Sequence, residues 1–114
     1  MEDCIFCKIV NREIPADIVY EDENIMAFKD VNPAAPTHLL FIPKKHIPTL
    51  MDVENGENAQ LMGELHRAVA HVAREMELES GFRLVSNCNK DAGQIVFHVH
   101  YHLLAGKSLQ WPPG

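Results

Sequence analysis

No run of purely apolar residues in this chain comes near the roughly 20 that a bilayer crossing requires, and the N-terminus lacks a basic stretch followed by an apolar one. Neither a membrane span nor a secretory leader is therefore expected, and the chain should stay in the cytosol. Basic residues are scarce as well. Ten Lys and Arg stand against 16 Asp and Glu, a net charge of −6. Binding along a phosphate backbone needs clustered cations, so a general nucleic-acid scaffold is excluded, whereas a small anionic ligand needs only a few local donors. Cysteine comes in an odd number, three, two of them close together as Cys4-Ile-Phe-Cys7. That is a poor disulfide framework and makes metal or redox chemistry the better question. There is no Walker A or dinucleotide glycine pattern, no internal repeat and no low-complexity segment.

What is present suits one domain spanning residues 1–114. With 46% hydrophobic and 23% charged residues the chain can build a core and is not disordered. Ile18-Val19-Tyr20 and Ile25-Met26-Ala27-Phe28 read as two strands, and Glu21-Asp22-Glu23-Asn24 between them as the turn of a hairpin. Asn32-Pro33-Ala34-Ala35-Pro36 breaks regular structure and Thr37 to Ile42 is a buried strand stopped by Pro43. Between about Val53 and Glu79 the period changes to 3.6. Leu61, Leu65, Ala68, Val69, Val72 and Met76 draw one apolar stripe along a helix, with Gly81 as its stop. Phe82 to Val85 is then a strand, Asn87 to Gly93 a polar loop, and Ile95 to Leu104 a longer strand. The fold class is α+β, an antiparallel sheet with one long helix packed on it.

The most informative stretch is His98-Val99-His100-Tyr101-His102. Three of the seven histidines fall within five positions. On a strand, alternate side chains share a face, so the three imidazoles lie together in a row. Three half-buried polar residues on a solvated face would be the bland explanation, but apolar residues frame them closely. Two chemistries compete: a catalytic zinc held by the three rings, or one nucleophilic imidazole tuned by the other two. Three side chains in a row do not converge easily on a tetrahedral ion, which favours the nucleophile.

His98 to Leu104, read as His-apolar-His-apolar-His-apolar-apolar, resembles the signature of the histidine triad (HIT) family. Ile5-Phe6, Glu13-Ile14-Pro15-Ala16, Tyr20-Glu21-Asp22, Ala27-Phe28, Pro36-Thr37-His38, Ile42-Pro43-Lys44-Lys45-His46 and Trp111-Pro112-Pro113-Gly114 extend the likeness over nearly the whole chain, towards the nucleotide-binding, Hint-like branch. The resemblance implies a hydrolase of nucleoside 5′-monophosphoramidates or aminoacyl-nucleotides, with purines such as AMP or GMP preferred. His100 would attack the α-phosphorus and form a covalent nucleotidyl-histidine, with His98, His102 and His38 completing the catalytic set. It places Asp30 on the ribose hydroxyls, Ile5, Phe6, Ile9, Phe28 and Val31 around the base, and Asn87 near the phosphate or leaving group. Gly93 and Gln94, in the bend Asp91-Ala92-Gly93-Gln94, would turn backbone N–H groups towards the anion. Ile95 departs from the pattern, since many similar members have serine there. A dinucleoside polyphosphate hydrolase and a nucleotide-binding module with little turnover are the alternatives.

Cys4 and Cys7 have zinc-knuckle spacing, and His46 is a third candidate ligand. His66 and His71 stand five apart on the helix and do not meet, which leaves His98 as the best fourth donor. A structural Zn²⁺ on Cys4, Cys7, His46 and His98 is the expectation, matching zinc-containing members of the wider superfamily; a redox pair, or two buried free thiols, are the competing readings. An exposed Trp111 on a proline-stiffened tail asks for cover, and the resemblance implies a two-fold homodimer with that tail near the partner's site.

Overall fold

In a computed structural model that describes residues 3–114, the chain forms helix α1 (Ile5–Val10), strands β1 (Ile18–Glu21), β2 (Ile25–Lys29) and β3 (Thr37–Pro43), helix α2 (Gly56–Glu75), and strands β4 (Arg83–Val85) and β5 (Tyr101–Ala105). The strands make one antiparallel sheet in the order β1-β2-β3-β5-β4. The expected α+β architecture, one sheet under one long helix, is the one observed.

Local chemistry explains where the elements begin. Asp22 Oδ1 accepts from the backbone N–H groups of Asn24 and Ile25, both at 2.8 Å, and this side-chain turn closes the β1–β2 hairpin. Asn55 caps α2 by accepting from Asn58 N–H at 2.8 Å. The helix ends earlier than its glycine suggests. Glu77 adopts φ 58°, its N–H bonds to Arg74 O and Leu78 N–H bonds to Ala73 O, a complete left-handed stop four residues before Gly81.

Period-two alternation divides the sheet into two buried faces. Ile25, Ala27, Leu39, Phe41, Leu103 and Ala105 pack against Leu61, Leu65, Ala68, Val69 and Val72 of α2. Met26, Phe28, Leu40 and Ile42 face the other way, onto Phe6, Cys7 and Ile9 of α1. The short N-terminal helix was not expected from the sequence. Its start is Cys4, whose Sγ accepts from Cys7 N–H at 3.4 Å, so a cysteine takes the place of an oxygen-bearing cap. Leu65 is completely buried under the sheet. Leu65→Ala should therefore lower unfolding stability by about 2–5 kcal/mol, measurable by urea denaturation.

The expected strand from Ile95 is a correction. Regular pairing begins only at Tyr101, opposite Phe41. Further back the partner strand ends at Pro43, which has no N–H to extend the ladder. The approach segment bonds elsewhere, with Val99 N–H donating to Ile47 O at 2.6 Å and Gln94 Nε2 to Pro48 O at 2.8 Å. His98 and His100 thus precede the strand and His102 lies on it, so their rings do not form a simple row. His66 and His71 are exposed on α2, as expected, near Tyr101 and Tyr20.

Candidate active site and metal centre

The three histidines are divided between two neighbouring centres. Burial pushes His98 down to about 4 and His102 also down to about 4, the latter helped by the facing His100 and His38 rings, and it lowers His100 below its ordinary 6.5. At neutral pH each of these rings carries one N–H and one lone pair, and hydrogen bonding assigns which nitrogen is which. His100 Nδ1 lies 2.8 Å from His98 O, so it donates its proton there and leaves the lone pair on Nε2. Ser86 Oγ donates to His100 O at 2.9 Å and holds the same backbone from the β4 side.

A second chain of bonds fixes His102. Ala34 N–H donates to His38 Nδ1 at 2.9 Å, which puts the His38 proton on Nε2, and that nitrogen lies 2.9 Å from His102 Nδ1. His102 therefore accepts at Nδ1 and carries its proton at Nε2. Asp30 stands 3.4 Å from His38 Nε2, while its other oxygen accepts from Asn32 N–H at 2.8 Å. A neutral buried ring binds fewer protons in the native state than in the unfolded chain. The stability carried by His102 should be complete above about pH 6.5 and be lost as pH falls towards 4. Between pH 7 and pH 5 the wild type should lose more unfolding free energy than His102→Asn, whose side-chain carbonyl can still accept from His38; equal losses would refute the assignment.

His100 and His102 open on a cavity of about 520 Å³. Ile5, Phe6, Ile9, Phe28, Asp30 and Val31 line it, as do Asn87, Gly93 and Ile95. Phe6 presents its ring edge-on to His100 and Phe28, with centroids 5.1 and 5.5 Å away. Ile14, Pro15 and Ala16, which carried the resemblance without being assigned to a pocket, add to the apolar wall with Leu40 and Val96.

Gln94 is different. It is buried, its Nε2 donates to Pro48 O and Val96 O, and its Oε1 accepts from Asn89 N–H at 2.7 Å, so the side chain braces the loop and does not line the cavity. The bend before the histidines is corrected too. The N–H groups of Ala92 and Gln94 bond to Asn89 O, and that of Gly93 to Lys90 O, which turns them inward. The next two, at Ile95 and Val96, take no hydrogen-bond partner among the described residues, and both residues line the cavity.

The second centre lies behind the first. Cys4 Sγ and Cys7 Sγ are 3.3 and 3.5 Å from His98 Nδ1, Cys7 Sγ is 3.4 Å from His46 Nδ1, and the four ligand atoms all lie within 4.8 Å of one another. His98 Nε2 donates to Pro43 O at 2.7 Å, which leaves the Nδ1 lone pair facing the thiols. Zinc bonds of about 2.3 Å to sulfur and about 2.0 Å to nitrogen give a tetrahedral S–N edge of about 3.5 Å. The residues fit a metal of that kind. Burial and the adjacent Cys4 thiol raise the Cys7 thiol above its ordinary value. Asp30, His38 and His102 form the other metal-type group found among the described residues, and His100 belongs to neither.

A five-stranded antiparallel sheet whose strand β5 carries one histidine, with the two alternate histidines before it placed at a cavity and in a thiol cluster, defines a domain of the histidine-triad class. The family model described as HIT domain matches residues 11–109, and the chain belongs to that family. A HIT-like protein of Synechococcus elongatus is 50% identical over 113 residues, covering 99% of this chain and 98% of its own length. In structure the chain is similar to a HIT family hydrolase from Legionella pneumophila, with 50% identity, a TM-score of 0.94 and coverage of 98% of this chain and 100% of the other. A histidine triad protein from Clostridium difficile superposes with a TM-score of 0.92 at 46% identity, covering 96% of each chain. Among the described residues no helix is long and apolar enough to cross a membrane.

Proposed function

We propose that this protein hydrolyses nucleoside 5′-monophosphoramidates or aminoacyl-nucleotides, with purines preferred, through a nucleotidyl-His100 intermediate. The observation that carries the reading is the bond from His100 Nδ1 to His98 O, because it leaves the Nε2 lone pair available beside the cavity without a dedicated base. The Nε2–P bond forms as the P–N bond to the amine breaks, and the departing nitrogen takes a proton from water at the cavity mouth. The remaining hydroxide equivalent then attacks phosphorus, the Nε2–P bond breaks, and nucleoside monophosphate leaves. His102 Nε2–H and the N–H groups of Ile95 and Val96 supply donors for phosphate oxygens. Asp30 accepts from the ribose hydroxyls, and Phe6, Ile9 and Phe28 hold the base.

Zn²⁺ is the proposed occupant of Cys4, Cys7, His46 and His98. Four protein ligands leave it no open position, so its contribution is to tie α1 to the segment before β5. Trp111, 82% exposed, supports the proposed homodimer, in which a second copy covers it. Incubation with adenosine 5′-phosphoramidate should release the amine and give a nucleotidyl-His100 adduct in mass spectra. Bound nucleotide with neither signal would establish a binding module instead, a second reading favoured by Ile95 where a hydroxyl could have served the leaving group.

A further inference from the structure

The chain departs from the pattern of the resemblance at Ile95, on the rim of the cavity. Ile95 shares the cavity wall with Gly93 and Asn87, and the residue is 89% exposed. That exposure does not come from a loose loop. The neighbouring Gln94 is buried and bonded to Pro48, Asn89 and Val96, so the backbone beneath Ile95 is held on both sides. An isoleucine held out in this way enlarges an apolar surface that a ligand can cover.

A second hollow of about 450 Å³ adjoins the cavity at this point. Ile5, Ile95 and Val96 line both, and Phe97, 46% exposed, lines the hollow alone. Phe6, Ile9 and Phe28, which form the apolar slot proposed for the base, border the cavity and not the hollow. A nucleotide with its base in that slot and its phosphorus at His100 therefore leaves Ile5, Ile95, Val96 and Phe97 for whatever is attached beyond the phosphorus. Among the described residues Cys4 and His46 also line the hollow, and its one carboxylate is Asp3, which repels an anionic group and accepts a cationic one.

We infer that Ile95 and Phe97, together with Ile5, which the resemblance set beside the base, form a leaving-group subsite selecting phosphoramidates whose amine carries an apolar body without a carboxylate. This rests on the phosphoramidate reading and narrows it to a substrate class. The amine nitrogen departs as described above, and the apolar body contributes by moving from water onto these three side chains. An apolar subsite typically discriminates by about tenfold or more per group accommodated.

The test uses three adenosine 5′-monophosphoramidates, made from 2-phenylethylamine, methylamine and β-alanine. The full-length protein should turn over the phenylethyl compound with kcat/KM at least about tenfold above the methyl compound, and the β-alanine compound most slowly. Ile95→Ser and Phe97→Ala should each bring the phenylethyl-to-methyl ratio towards one, whereas Ile95→Val should keep most of it. Equal kcat/KM for the two uncharged amines, or an unchanged ratio in Ile95→Ser, overturns the subsite while leaving the phosphoramidase in place. Amine release from none of the three overturns the phosphoramidase reading and the subsite together.

Discussion

His100→Ala is expected to abolish amine release, by a factor on the order of 10⁴ or more, because no other ring offers a lone pair to the cavity in the same way. His102 lines the cavity too, but its Nδ1 is the acceptor of the bond from His38, so its exposed nitrogen carries a proton. The nucleotidyl adduct should disappear with the activity. Bound metal should remain at the wild-type level, since His100 contributes its Nδ1 to a carbonyl and no atom to the thiol cluster. A variant that lost metal and turnover in equal measure would move the chemistry to a catalytic ion. A variant that kept its turnover would remove His100 from the reaction altogether.

Cys4→Ser should have the largest effect on stability. Serine caps helices well, so the substitution preserves the N-terminal start of α1 and removes chiefly the sulfur beside His98. With Zn²⁺ proposed at the site, metal content measured after dialysis should fall from about one per chain to a small fraction, and the melting temperature should drop by roughly 10 °C or more. Adding a chelator to the wild type should reproduce the shift, and adding it to the variant should do little. An unchanged metal content would leave Cys4 and Cys7 as buried thiols. Nucleotide binding should weaken in the variant, because Phe6 and Ile9 reach the cavity from the same helix that the cluster anchors.

Much of this arrangement is legible in the sequence because side-chain period and residue chemistry carry it. The stripe from Leu61 to Val72 gives α2, and the alternation of Val99, Tyr101 and Leu103 with the histidines gives the two-sided character of the region. The pair Cys4 and Cys7 with His46 and His98 is readable because thiols and imidazoles at such spacings have few other uses. What the sequence conceals is backbone chemistry. The groups that set each tautomer are the carbonyls of His98 and Pro43 and the N–H of Ala34, and no residue type advertises them. Glu77 stops α2 in a conformation that favours glycine, so the visible Gly81 misleads. The inward N–H groups of residues 92–94 follow from a 3₁₀ turn at Lys90–Ala92 that composition does not mark.

Pairing between β3 and β5 sets Leu40 opposite His102 and Phe41 opposite Tyr101. Neighbouring positions on those strands belong to opposite sides of the sheet, one apolar under the long helix and the other open to the cavity. Deleting or inserting a single residue in either strand would exchange the two sets, delivering a phenol to the ligand and an imidazole to the hydrocarbon interior. A change of length that keeps the site is therefore expected only in the connections, and the two strands act as a reading frame for the chemistry they carry.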